Sequence, residues 1–158
     1  AKDKNTPPRY QHLAKANIPV VEFPDEAGYL RLIAGEHDGV KGAADTFTEM
    51  NVWDIVLHAD QEAELAVPDN HNLSMVVLRG AVTFNDNEQA TAGELVNFEQ
   101  TGGKVRAKAG SEEAKILLLS GVPIDEPVVG YGPFVMNTAE EIRQAISDFK
   151  SGKFGRID

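Results

Sequence analysis

The sequence predicts an all-β protein: an antiparallel jelly-roll β-barrel over residues 18–120, closed by one C-terminal α-helix. Two observations carry this. From Ile18 to Ser120, short apolar or alternating runs follow one another between turn residues, with no helical period between them. Near the end of the chain the period changes to that of an amphipathic helix with its own start and stop signals.

The strand candidates come in order. Ile18–Phe23, Tyr29–Gly35, Val52–Ala59 and Ala63–Val67 form the first half; Leu73–Gly80, Ala81–Phe84, Glu94–Phe98, Lys104–Ala109 and Ala114–Gly121 form the second. Asn85-Asp86-Asn87, Thr101-Gly102-Gly103 and Gly110-Ser111 separate them with residues that tolerate tight turns. Met75–Leu78 and Ile116–Leu119 are the strongest apolar runs, and they are expected to be central strands buried on both faces. Lys104, Arg106 and Lys108 alternate as one solvated strand face, and Trp53 and the other aromatics fall in the strands as core residues would. Two further apolar runs flank Gly132-Pro133. The helix then begins on Thr138, which with Glu141 makes a T-x-x-E capping box. Ile142, Ala145, Ile146 and Phe149 form one apolar stripe, Glu140 and Glu141 precede Lys150 as the helix dipole favours, and Gly152 is placed to end the helix. A stripe of this kind must face something.

A chain of 158 residues suits one domain with a real core. Its 25 acidic against 15 basic residues give a net charge of −10, which excludes a nucleic-acid or anionic-membrane surface as partner. The absence of cysteine removes disulfides, thiolate catalysis and zinc–thiolate sites, and it fits a reducing compartment. No signal peptide or membrane-length apolar run is present, so a soluble cytoplasmic protein is expected.

Residues 1–17 are charged and broken by Pro7-Pro8, and they read as an extended linker; 18–125 is the barrel and 126–158 the terminal segment with its helix. A start on Ala-Lys-Asp-Lys without Met suggests an internal segment of a longer protein. Three stretches carry a family resemblance: "KDKNTPPRYQHL", "LIAGEHDGVKG" and above all "GYGPFVMNTAEEIRQAISDFKSGKFG". The last is similar to the C-terminal signature of the pirin family of the cupin superfamily, and the likeness covers nearly the whole chain. The resemblance implies a linker and second domain of a two-barrel protein. Its iron site, three histidines and a glutamate, would lie in the first domain, so no iron ligand carries over to this chain. It also implies that the terminal segment packs on that first domain, with Phe134, Val135, Met136, Ile142, Ala145, Ile146 and Phe149 as its interface.

A metal-binding cupin needs H-x-H-x(3–4)-E-x(6)-G, because alternate residues of one strand point together into the barrel. Counting back from Gly80 puts Leu73 at the glutamate, Asp69 or Pro68 at the second histidine and Val67 or Ala66 at the first. The second motif, laid from Gly93 through Gln100 and Gly102, puts Val105 at its histidine and Ala109 at its asparagine. Both fail. A filled, metal-free barrel without a cofactor is expected.

The remaining chemistry-bearing residues are read as structural. His71, between Asn70 and Asn72, is a histidine of a polar turn; Glu36-His37-Asp38 is a turn bracketed by Gly35 and Gly39 rather than a metal cluster. His58 with Asp60 could form an acid–base pair but reads as an exposed or satisfied histidine, and His12 lies in the linker. Ser74, Ser111, Ser120, Ser147 and Ser151 have no histidine in a recognisable arrangement, and "GEHDGVKG" is not a phosphate loop. No catalytic residue is assigned. The expected function is a structural second domain, with a stand-alone protein-interaction module as the alternative and an enzyme using this domain alone as the third. Its partners would be the first cupin domain, a second copy of the chain in a homodimer, or another protein.

Overall fold

A computed structural model describes residues 2–4 and 6–155. Residues 1 and 5 of the linker and 156–158 of the terminal segment lie outside the described residues. The chain divides into two compact units, Pro8–Pro123 and Ala1–Pro7 with Ile124–Asp158.

The larger unit holds β1 Val20–Glu22, β2 Gly28–Ala34, β3 Glu36–His37, β4 Val40–Lys41, β5 Met50–Leu57 and β6 Glu62–Ala66. It continues with β7 Asn72–Arg79, β8 Ala81–Phe84, β9 Glu88–Thr91, β10 Leu95–Phe98, β11 Lys104–Ala109 and β12 Ala114–Gly121. One sheet runs β1-β2-β5-β12-β7-β10, a second runs β6-β11-β8-β9, and β3 and β4 form a separate hairpin. The named strand pairs are all antiparallel. Together the two sheets make the expected antiparallel all-β fold.

Period-2 alternation decides what fills it. Leu30, Leu32, Trp53, Ile55, Leu57, Met75, Ile116 and Leu118 of the first sheet meet Leu65, Phe84 and Ala107 of the second, all at 0% exposure. Phe84 and Phe98 pack edge to face with centroids 5.5 Å apart, the arrangement ring quadrupoles favour. The expectation that β7 and β12 are buried on both faces is corrected. Leu78 is 48% and Leu119 38% exposed, while their neighbours Val77 and Leu118 are sealed. Both strands are central by pairing, but their outer face meets solvent, as an antiparallel sheet permits.

Lys104, Arg106 and Lys108 do lie on the solvated face of β11; Lys104 pairs with Glu64 and Arg106 with Asp86. The stretch around Glu36-His37-Asp38 is more than a turn. It forms the β3–β4 hairpin about Asp38 and Gly39, both at positive φ, which a two-residue turn requires. His37 is thereby buried, with its ring edge-on to Trp53 at 4.9 Å. Residues 8–17 contain a short 3-10 turn, Lys15–Asn17, and are tied down by Gln11, whose Nε2 donates to Asp45 Oδ2 at 2.8 Å. Arg9 lies over the Phe47 ring at 4.7 Å.

The smaller unit contains a hairpin of β13 Val129–Tyr131 and β14 Phe134–Met136, followed by α1 Ala139–Lys150. The capping box is present in both directions. Glu141 N–H donates to Thr138 Oγ1 at 3.1 Å, and Thr138 N–H donates to the Glu141 carboxylate at 3.1 Å. Gly152 ends the helix at φ +77. Asn137 N–H at 2.8 Å, followed by Lys4, holds the Glu141 carboxyl below its ordinary value of 4.5. A depressed carboxyl stabilises the fold fully above its ordinary value and loses that contribution as pH falls through the lowered one. The first turn of α1 is therefore expected to fray on acidification below pH 4.5, in carbon chemical shifts of residues 139–142. Thr138→Ala is expected to produce the same fraying at neutral pH, at a cost of about 1 kcal/mol.

Candidate functional site

Two cavities of the larger unit bear on the candidate site. The first, about 470 Å³, has apolar walls of Val67, Leu73, Phe84, Val96, Phe98 and Val105, and polar groups that include His71, Asn97 and Gln100. The second, about 670 Å³, is lined by residues that include Glu36, Lys41, Phe47, Glu49, Asn51 and again His71. His71 and Pro68 are common to both.

The strand pattern explains how polar side chains come to lie here. Asn51 continues the inward row of Trp53 and Ile55 on β5, and Ser120 continues that of Ile116 and Leu118 on β12; the two are register partners. Both are 6% exposed, and so is His71, the residue before β7. A polar thread joins them. Glu36 N–H donates to Asn51 Oδ1 at 3.2 Å, Asn51 Nδ2 donates to Ser120 Oγ at 3.0 Å, and Ser120 Oγ lies 3.4 Å from His71 Nδ1.

Two expectations are corrected by this geometry. His71 is not a solvated turn histidine: Asp69 and Asn70 make the turn, and the ring that follows is buried at the end of the barrel interior. Ser120 does have a histidine beside it. The pair is still not a nucleophile and base. Ser120 lines neither cavity, and the asparagine bonds the serine rather than orienting the imidazole from its far side, as a catalytic triad requires.

The other candidates stay apart. His58 Nδ1 lies 2.8 Å from Glu26 O rather than on Asp60, and His12 Nδ1 lies 3.5 Å from Tyr10 Oη. His37 Nε2 lies 3.5 Å from Asp38, whose side chain is largely exposed. Among the described residues no group of three or more His, Asp or Glu comes together. Val67, Leu73 and Val105, which stand at ligand positions of the metal motifs, are buried among the core hydrophobics. An iron ion needs oxygen or imidazole donors, so these three positions do not fit one; they wall a cavity of about 470 Å³ and do not fill the barrel as expected.

The seven proposed interface residues divide. Ile142 and Ala145 are buried, Phe134, Met136 and Ile146 are half-buried, and Val135 and Phe149 are 64% and 63% exposed. Phe149 thus departs from the buried stripe. Its ring instead joins Phe134 and Phe154 at centroid distances of 6.2 to 6.3 Å.

The family of pirin C-terminal cupin domains matches residues 52–155. The chain belongs to the pirin family. A Pirin-like protein of Solanum lycopersicum is 35% identical over 158 residues, 98% of this chain and 53% of that protein. A Pseudomonas aeruginosa protein named for a quercetin 2,3-dioxygenase activity is 43% identical over 154 residues, again 98% of this chain and 53% of its own. The crystal structure of quercetin 2,3-dioxygenase from Acinetobacter baumannii superposes with a TM-score of 0.88 at 43% identity, covering 99% of this chain and 54% of that one. The chain spans about half the length of the curated relatives it matches. No helix among the described residues is long and apolar enough to cross a membrane.

Proposed function

We propose that this pirin domain is the metal-free second cupin of a two-cupin protein, acting as scaffold and domain interface while a companion cupin holds the iron. The observation that supports this best is the apolar character of Val67, Leu73 and Val105, where a metal-binding cupin places its ligands. The relatives' names make a quercetin 2,3-dioxygenase-like activity the first candidate for the whole protein; a regulatory, protein-binding pirin is the second. A cytoplasmic setting fits the absence of cysteine. The test is to equilibrate the purified chain with ferrous iron, dialyse, and measure bound metal and quercetin turnover. Neither stoichiometric iron nor turnover is expected. One equivalent of iron held in the barrel would overturn the reading.

A second reading rests on the exposed apolar groups of the terminal unit. Val135, Phe149 and Phe154 are each at least 60% exposed and lie close to the half-buried Phe134. We propose that this face pairs with a companion domain, or with a second copy of the chain when no companion is present. Sedimentation at rising concentration is expected to show a dimer, and the double change Ile146→Gln and Phe149→Gln should return it to monomer. A wild-type chain that stays monomeric at high micromolar concentration would remove the homodimer.

A further inference from the structure

We propose that the smaller cavity of the barrel unit is a binding site for a small, uncharged, apolar-bodied molecule bearing an acceptor oxygen, with His71 as the donor that recognises it. The argument begins at a backbone amide. Glu36 N–H can only donate, so the Asn51 atom it meets at 3.2 Å must be the amide oxygen. The other end of that amide, Nδ2, therefore donates to Ser120 Oγ at 3.0 Å. The serine's own proton is left for His71 Nδ1, 3.4 Å away, and no other acceptor for it is found among the described residues. In the neutral ring Nδ1 is then the acceptor and Nε2 carries the hydrogen. The thread thus sets one tautomer.

Among the described residues that Nε2–H has no partner of its own. The buried side-chain atoms without a hydrogen bond among the described residues are Trp53 Nε1 and Asp54 Oδ1. Nε2 is therefore not sealed, although His71 as a whole is only 6% exposed. His71 lines both cavities, and we assign this unspent donor to the smaller of them. A buried donor gains most from an occupant that supplies an acceptor.

Size and charge narrow the occupant. A volume of about 470 Å³ lies in the range of small-molecule pockets, and walls such as Phe84, Phe98 and Val96 suit an apolar body. The rim carries the carboxylates of Asp69, Glu88 and Glu99 against one lysine, Lys104, already held by Glu64 at 2.5 Å. An anion is repelled there, so the acceptor belongs to a carbonyl or hydroxyl rather than a carboxylate. This proposal goes beyond the scaffold role and does not depend on it, since neither iron nor oligomeric state enters its test.

The probes are acetophenone and benzoate, close in shape and different in charge, titrated by NMR into the whole chain at about pH 8, above the ordinary histidine range. Acetophenone is expected to bind with a dissociation constant on the order of 1 mM or tighter, moving resonances of Phe84, Val96 and Phe98. Benzoate is expected to bind at least about tenfold more weakly. His71→Phe keeps a ring and removes the donor, and should weaken acetophenone about three- to tenfold. Should that variant fail to fold, nitrogen shifts of the wild-type imidazole decide the tautomer without mutation, with Nε2–H expected. An Nδ1–H ring, equal binding of benzoate, no saturable binding of acetophenone, or shifts confined to Phe47 and Met50 of the larger cleft would each overturn the proposal.

Discussion

Replacing Trp53 by alanine is expected to cost about 3–5 kcal/mol, which is much of the total stability of a domain this size. Trp53 is at 0% exposure on β5, its strand is paired on both sides by β2 and β12, and its ring edge meets the buried His37. Truncation would leave a cavity in both rows of contacts, and chemical denaturation should show a lower midpoint with little change in slope. Trp53→Phe is the informative companion. The indole Nε1–H is buried without a hydrogen bond among the described residues, so losing it relieves part of the cost of losing volume. The phenylalanine variant should therefore lose less than about half of what alanine loses. Equal losses would mean that neither the ring volume phenylalanine retains nor the N–H it removes counts at this site.

Much of this fold was legible because antiparallel sheets write their burial into the sequence with period two. Lys104–Ala109, Ala81–Phe84 and Ala114–Gly121 coincide with strands β11, β8 and β12, and the other long strands shift by one or two residues. The helix was legible down to its cap, since Thr138, Glu141 and Gly152 act through contacts a few residues apart. What escaped was short or unpatterned. β3, β4 and β9 have two to four residues each and little apolar content, so no period can develop in them. β7 and β12 misled differently: four apolar residues in a row look doubly buried, and only the pairing shows that Leu78 and Leu119 face outward.

The candidate site was less legible than the fold, for a physical reason. Glu36, Asn51, His71 and Ser120 are separated in sequence by 15 to 69 positions along each contact, so no motif window contains two members of the thread. One signal was available. Asn51 and Ser120 interrupt inward apolar rows, Asn51 ahead of Trp53 and Ile55, Ser120 after Ile116 and Leu118, and a polar residue on such a row must find a partner. His71 carried no such signal, because its neighbours Asn70 and Asn72 mark a turn and the burial of the ring depends on the whole barrel end.

Gly35→Ala should strike both the fold and the thread, at a cost of about 2–4 kcal/mol. Gly35 has φ +86, which a residue with a Cβ rarely adopts, and it sits between the end of β2 and the start of the β3–β4 hairpin. A Cβ there would stand 2.0 Å from Asn51 Oδ1 and 2.5 Å from Met50 O. Both are far inside van der Waals contact, and the second is backbone that pairs with Gly121, so the side chain of Asn51 is the part that can yield. Once Asn51 turns away, Glu36 N–H loses its acceptor and Ser120 loses the donor that directs its proton toward His71. Two readouts separate these effects. The denaturation midpoint should fall, and in whatever native population remains the His71 tautomer should no longer be confined to Nε2–H. Asn51→Leu should reproduce the tautomer change without the backbone strain of alanine at 35. If Gly35→Ala lowers stability while the imidazole keeps its wild-type nitrogen shifts, the amide of Asn51 does not control His71, and the donor facing the cavity has another cause.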